Sequence, residues 1–452
     1  MTAVPLLSST RDRGLGMINL ARLAPGDAAR LADVVLTLGR HGVLVVGRRG
    51  PYLVLGLSDR APRALAIALR RSFTDLGPTF VKFGQLIASS PGLFPDVLSS
   101  EMRRLLDRVP PERPGRVHSL LRHELGRPVA EIFADFEDEP VAAASIAQVH
   151  RARLHDGRVV AVKVRRPRLR QRIERDVRLL RILALLVERA GAIGELANPV
   201  AIVDDFAQGL RSEVDFRNEA EAMVTFERNL RSSHDNVGVV VPTPIEDLVT
   251  PRVLVMSFVE GVPVDRLVEE HHGHLDWEDL LRRGVRAWIH GALEFGLFHG
   301  DVHAGNLFVT PDGDLAFLDF GIMGTLPTSA RDTLRGTLPA VLLQNDYSQV
   351  VRALFELGAA TRPVDVGQAT TDVEALVTPL LTTTLSDISF GEILSQVLRV
   401  ATRHRVRLPR EMVLLVKQLL YFERYAKELA PNYKILADPE ILRFLVPTVS
   451  PS

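Results

Sequence analysis

The sequence predicts an α+β protein: a block of helices, then a small sheet with one long helix, then a largely helical domain whose hairpin displays acidic residues. Three stretches carry this. Apolar residues recur at helical spacing through "ALAIALRRSFTDLGPTFVKFGQLI". Two β-type runs flank Asp156-Gly157 in "IAQVHRARLHDGRVVAVKV". "FHGDVHAGNLFVTPDGDLAFLDFG" places Asp301, Asn306 and Asp319 around a second hairpin.

Composition narrows the chemistry. With 452 residues, 46% hydrophobic and 24% charged, the chain has the make-up of an ordinary globular protein of two or three domains. It has no cysteine, which excludes disulfides and thiolate metal sites and favours Mg²⁺ or Mn²⁺ over structural zinc. A cytoplasmic location is expected, with no signal peptide and no nucleic-acid partner.

Residues 1–72 carry eleven arginines against four aspartates, so this segment is about +7 and the remainder about −7. Its apolar stretch "VVLTLGRHGVLVVGRRGPYLVLGL" is cut by Arg40, His41, Arg48 and Arg49, short of the ~18 residues that span a bilayer. Such a segment either lies peripherally on an anionic membrane surface or packs on the main domain with its arginines solvated. Residues 73–115 read as helices interrupted at Gly77-Pro78 and restarted after Pro95. Residues 116–261 hold the first hairpin, helices near 168–190 and 201–230, and short strands in "VGVVVPTPI" and "RVLVMSFVEG". Residues 262–452 are helical apart from the acidic hairpin, "NLFVT" and "LAFLDF" about Pro311 to Asp314.

Phosphoryl transfer asks a protein to position phosphates, hold a divalent cation and neutralise charge. Asp301 and Asn306, five apart, offer a carboxylate and an amide from one loop, the spacing of a kinase catalytic loop. Asp319 of Asp319-Phe320-Gly321 follows an apolar strand and can chelate Mg²⁺, with Gly321 letting the chain turn away. Asp-Phe-Gly alone is weak; the two motifs joined by one hairpin are specific. "VVAVKV" sends Lys163 to the face opposite Val162 and Val164, although a lysine on an edge strand is often only a solvated gatekeeper. "VDDFAQGLRSEVDFRNEAEAM", read as one continuous helix, puts Asp215 and Glu219 on a shared face and Glu213 on another. Where a glycine-rich phosphate loop would stand, the chain has "AAASIAQ", with Ala142, Ala143, Ala144 and Ser145 as a stiffer lid. No G-x-x-x-x-G-K-[ST] is present, which excludes a P-loop NTPase.

From about Leu76 to Gly324 these residues resemble the UbiB/AarF family of atypical kinases. "LGPTFVKFGQ" is similar to its K-x-G-Q motif, giving Lys82, Gly84 and Gln85, and "AAASIAQVHRA" to its alanine-rich loop. "SEVDFRNEA" resembles its E-x-D motif, Glu213 and Asp215, with Glu219 in the place of the acid that pairs with Lys163. The resemblance implies a bilobal protein-kinase-like fold, with a sheet-containing N-lobe, a helical C-lobe and an N-terminal K-x-G-Q extension covering the substrate side. Lys82, Gln85, Glu213 and Asp215 are then regulatory. Asp301, Lys163, Glu219, Asn306 and Asp319 are catalytic, with Asn306 and Asp319 on the metal. The alanine loop and Met256 face ATP. The implied activity is Mg-ATP-dependent phosphotransfer or ATP hydrolysis that serves isoprenoid lipid or quinone-precursor metabolism. A nucleotide-gated pseudokinase scaffold is the alternative, and an ordinary protein kinase the third reading. Three positions depart from the family: Ser257 follows Met256 where an acid is common, "SSPGLFP" lacks the usual Arg and Asp, and Leu106 replaces a Gln.

An apolar segment such as "FVKFG" is a costly place for an unpaired charge, and the resemblance puts Glu213 and Asp215 near Lys82. Lys82→Ala is expected to lower the melting temperature and alter nucleotide selectivity. Its effect should be non-additive with Glu213→Gln; strictly additive losses in a double-mutant cycle would show that the two side chains do not meet.

Overall fold

The computed structural model describes residues 25–49, 60–88, 94–105, 110–189, 199–232, 236–270, 275–356 and 365–382, with scattered positions from 396 to 441. Residues 1–24 and 50–59 of the basic segment, most of "SSPGLFP", Leu106 and the tail after Ile441 lie outside them. The chain divides into two compact units, Met1–Leu86 with Ser100–Leu105 and Arg170–Ala207, and Ile87–Ser99 with Leu106–Leu169 and Gln208–Ser452.

The first unit contains helices α1 (Pro25–Arg49), α2 (Arg60–Leu76) and α3 (Pro78–Ala88). A further helix, α4 (Asp96–Met102), crosses the boundary between the units, and its last residues belong to this one. Gly77-Pro78 separates α2 from α3 as its chemistry requires, and Phe73 then packs on Phe80 and Phe83 with ring centroids 5.8 and 6.3 Å apart. Gly84 of the K-x-G-Q stretch has no room for a side chain: a Cβ there would run into Leu105 and come within 3.0 Å of the Phe73 ring. Three of the described arginines of the basic segment have acidic partners. Arg30 binds Asp176 at 2.7 Å and the Leu76 carbonyl at 2.6 Å, Arg40 pairs with Asp75, and Arg70 binds Glu101 at 2.7 Å. No described helix is long and apolar enough to cross a membrane.

The second unit is built on a six-stranded sheet. Its main path is β1 (Phe133–Phe136), β3 (Ala147–Leu154), β4 (Val159–Arg165), β7 (Val253–Ser257), β6 (Pro244–Val249), and β2 (Ala142–Ala143) pairs with β3. Val160, Val162 and Val164 alternate on β4 and face the core, with Val253 and Val255 beside them. That face is covered by α5 (Pro114–Leu125), a helix the sequence reading passed over although Val117, Leu120 and Leu121 have the spacing of one buried stripe. A short turn of helix, α6 (Val129–Ile132), leads into β1. The opposite face of the sheet carries Lys163. Because β4 lies between β3 and β7, Lys163 is on an interior strand and not at an edge.

After α7 (Leu169–Arg189), the predicted long helix is two: α8 (Pro199–Glu213) and α9 (Phe216–Arg231). Asp215 is the N-cap of α9, accepting a hydrogen bond from the Arg217 backbone N–H at 3.2 Å and a second, at 2.6 Å, from the Arg217 guanidinium. The Val214 carbonyl is taken by the buried Arg165 side chain. Asp215 therefore does not share a helical face with Glu219; a cap residue competed successfully for the backbone, which i, i+4 counting across "EVDF" cannot register.

The helical part contains α10 (Val264–Glu269), α11 (Trp277–His290), α12 (Thr328–Gln344), α13 (Ser348–Glu356) and α14 (Val366–Thr382). The acidic hairpin, β10 (Leu307–Val309) and β11 (Leu315–Phe317), sits in a small sheet of order β5 (Val239–Val240), β11, β10, β8 (Val262–Pro263). A two-stranded sheet of β9 (Leu297–His299) and β12 (Met323–Thr325) brackets the functional loops on either side.

Within the first unit, Asp176 is fully buried and neutralises Arg30. Asp176→Ala should lower stability by about 3 kcal/mol, the lower end for breaking a buried pair because Arg30 keeps Asp33. Urea unfolding followed by circular dichroism tests this, and a change below measurement error would show that the pair is not structural.

Candidate active site

Lys163 is the electrostatic centre of the second unit. Its ammonium donates to both oxygens of Glu219, at 2.7 and 2.9 Å, and to Asp319 at 2.8 Å. Glu219 is almost wholly buried on the first turn of α9, whereas the Asp319 carboxylate is 54% exposed. Burial disfavours the ammonium, but the Asp319 and Glu219 carboxylates outweigh it and hold the Lys163 pKa above its ordinary value, so the lysine is charged. The Phe216 ring adds a cation–π contact at 5.4 Å. The direct cross-strand neighbours of this charge are apolar. In the register, Val149 and Leu254 lie across from Lys163, and Met256 lies across from Ala161.

Asp319 adopts φ +59°, a left-handed conformation that aspartate tolerates better than most side chains and that tends to persist where the surroundings over-determine it. Gly321 lies in the turn after Asp319, as expected, but without a left-handed φ; a Cβ there would stand a tight 3.3 Å from the Asp319 carboxylate and 3.7 Å from Glu213. Between them, Phe320 is buried against Phe226 of α9 and against His299, with centroids 5.4 and 4.9 Å apart. One helix thus supplies both the acid for Lys163 and a seat for the Asp-Phe-Gly turn.

The loop of Asp301 is tied down by side chains far apart in sequence. His299 is fully buried, and burial pushes its pKa down, leaving a neutral ring. Its Nε2 lies 3.0 Å from the Leu318 carbonyl, so Nε2–H donates there and Nδ1 accepts from the Asp301 N–H at 3.2 Å. Trp288 donates to the His299 carbonyl at 2.9 Å. Asn306 donates its side-chain amide to the Asp301 carbonyl at 3.0 Å, and its own carbonyl accepts from Leu318, the residue before Asp319. Asp301, Asn306 and Asp319 are thereby linked through Leu318 and the small sheet. His299 and Trp288 were missed by sequence reasoning.

Asn306 and Asp319 offer an amide and a carboxylate oxygen, donors of the type a hard divalent cation takes; among the described residues no group of three or more His, Cys, Asp and Glu could hold a metal ion. Asn306 and Asp319 would hold such an ion together with phosphate oxygens. At the roof, Ala142 and Ala143 pair with β3, and the Ala144 N–H donates to Ala147 at 2.8 Å. The Ala144 carbonyl accepts from Arg166 at 2.9 Å, and Ser145 is fully buried. The Ile146 carbonyl accepts from the Arg166 N–H at 2.9 Å, so both sides of this hairpin end are held by β4 and the residue after it. Met256 is buried, and the neighbouring Ser257 hydroxyl accepts from the Thr243 N–H at 2.9 Å. Lys82 and Gln85 are half-buried on α3 of the first unit, while Glu213 ends α8 and Asp215 caps α9 in the second.

A strand lysine clasped by a helix glutamate, a D-x-x-x-x-N loop and an Asp-Phe-Gly turn define a protein-kinase-like fold. The comparisons agree. Residues 104–354 match the model of the ABC1 atypical kinase-like domain and residues 373–434 that of the UbiB helical domain. An uncharacterised protein of Mycobacterium tuberculosis is 40% identical over 438 residues, spanning 96% of this chain and 88% of its own. A probable protein kinase UbiB of Pseudomonas entomophila is 34% identical over 400 residues, 87% of this chain and 74% of its own. The chain belongs to the UbiB, or ABC1, family of atypical kinase-like proteins. A solved Mycobacterium tuberculosis protein–erythromycin complex aligns at TM-score 0.52 and 24% identity, over 81% of this chain and 94% of the other, a likeness of fold alone.

Lys163→Met and Glu219→Gln should each destabilise the protein by leaving the other group short of its buried partner. Together they should cost less than the sum, with a coupling of roughly 0.5–3 kcal/mol. Additive melting shifts would show that the 2.7 Å contact carries no net energy.

Proposed function

We propose that this protein is a Mg-ATP-dependent atypical kinase or ATPase of the UbiB type, acting in isoprenoid lipid or quinone-precursor metabolism at a membrane surface. The observation that carries the reading is the Lys163 ammonium held between Glu219 and Asp319, a preorganised cation beside an exposed carboxylate. When bound, Mg-ATP supplies the transferable phosphoryl group and the metal charge that offsets its oxygens. Lys163 orients phosphate oxygens, and Glu219 keeps that ammonium aimed. Asn306 and Asp319 fix the metal side. Asp301, 22% exposed and held by its backbone, accepts the proton of the attacking hydroxyl or water, or orients that nucleophile. The apolar sheet face of Val149, Ala161 and Met256 suits a purine ring.

The isoprenoid and quinone part rests on the family and on the name of the Pseudomonas relative. The membrane part rests on the +7 charge of residues 1–72 and on the exposed Val35, Leu36 and Leu65 among the described part of that segment.

Asp319→Asn should weaken Mg-nucleotide binding, whereas Asp301→Asn should abolish turnover and retain nucleotide. The measurements are isothermal titration with Mg-ATP and phosphate release, each with and without anionic liposomes and small phenolic quinone precursors. Liposome co-sedimentation should fall as salt is raised, since exposed charges are screened over about 8 Å at physiological ionic strength. Undiminished turnover in both variants would sink the enzyme reading; nucleotide binding without turnover by the unmodified chain would favour a nucleotide-gated scaffold.

A further inference from the structure

Gln418 is fully buried and lies within the stretch matched by the UbiB helical model, 116 positions beyond Val302. A buried amide is costly unless both of its ends are hydrogen-bonded, and this one spends both on the loop of Asp301. Its Nε2 donates to the Gly300 carbonyl at 2.6 Å, and its Oε1 accepts from the Val302 N–H at 2.9 Å. The two peptide groups are those on either side of Asp301. Between them the Asp301 N–H is held by His299 at 3.2 Å, so successive backbone groups of the loop each have a side-chain partner. Four residues further on, buried Phe422 packs on Trp288 with centroids 5.8 Å apart, and Trp288 holds the His299 carbonyl.

We propose that Gln418 is a positioning residue for the phosphotransfer reaction: the helical domain clasps the catalytic loop through it and sets the direction of the Asp301 carboxylate. This rests on the reaction proposed above. A glutamine suits the task because its amide presents N–H donors and a carbonyl acceptor side by side, matching a backbone C=O and N–H in turn. Methionine has its length and neither hydrogen bond. Gln418 does not belong to the metal or phosphate set, so its loss should act on turnover and spare nucleotide binding.

The test compares the unmodified full-length chain with Gln418→Met and, as a control in the same domain, Tyr433→Phe, which removes the buried Tyr433–Asp438 hydrogen bond of 2.8 Å. The readouts are kcat, KM for Mg-ATP, nucleotide Kd and amide hydrogen exchange of the 297–306 peptide. Gln418→Met should lower kcat by about 10- to 100-fold, the scale of a misplaced reacting group, while Kd changes less than about threefold. Exchange at Val302 should become faster. Tyr433→Phe should leave kcat and that peptide as in the unmodified chain. An unchanged kcat in Gln418→Met, or a loss shared by kcat, Kd and Tyr433→Phe alike, would overturn the proposal. If the unmodified chain turns over no ATP, the function proposed above fails, and hydrogen exchange alone decides the clasp: unchanged protection of Val302 would refute it.

Discussion

The arrangement of the second unit depends on one constraint, a lysine ammonium placed on the interior strand of a sheet where water reaches it poorly. Such a charge is tolerated only with close anionic partners, and Lys163 has two, one buried and one exposed. Glu219 must therefore sit on the first turn of a helix that starts at a fixed place, and Asp215 starts it there as the N-cap. Arg165, two residues beyond Lys163 on the same strand, secures the same break by taking the Val214 carbonyl. The strand that presents the cation also sets where its counterion begins.

The second partner, Asp319, joins this constraint to the helical half. Phe320 is buried on α9, and the β10–β11 hairpin carries the backbone from Asn306 to Leu318. The left-handed backbone at Asp319 is the local cost of aiming its carboxylate toward Lys163 while Phe320 stays in the core. Asp301, Asn306 and Asp319 flank the short strands β9, β10 and β11 and are tied together by neutral His299 and by the Asn306 contacts to Asp301 and Leu318. The alanine loop follows the same economy. The Ala144 N–H and carbonyl are engaged by Ala147 and Arg166, which restrains the alanine loop more than glycines would.

Some of this was legible in the residues alone. The first hairpin, the acidic hairpin and the helices about Gly77-Pro78 follow from alternation, turn dipeptides and proline geometry, all local in sequence. Lys163, Asp301, Asn306 and Asp319 were recognisable because motif spacing on a loop or strand survives folding unchanged. The split of the long acidic helix was not recognisable, since Glu213-Val214-Asp215-Phe216 has helical spacing and only the capping geometry shows that the chain leaves the helix. Helix α5 escaped notice because its apolar residues are few and its purpose, covering the back of the sheet, is a tertiary matter.

The sequence by itself determined which chemistry is possible: oxygen and nitrogen ligands without thiolates, a strand lysine, a loop pairing carboxylate with amide, and an acid before Phe-Gly. Those are properties of side-chain type and near-neighbour spacing. Only the tertiary structure decided that Asp319 meets Lys163 alongside Glu219, that Lys163 is interior to its sheet, that Asp319 and not Gly321 takes the left-handed backbone, and that Gln418 reaches the loop of Asp301. The physical reason is that pairing of buried charges and satisfaction of buried backbone groups are settled between residues 56 to 156 positions apart, where spacing along the chain carries no information about distance in space.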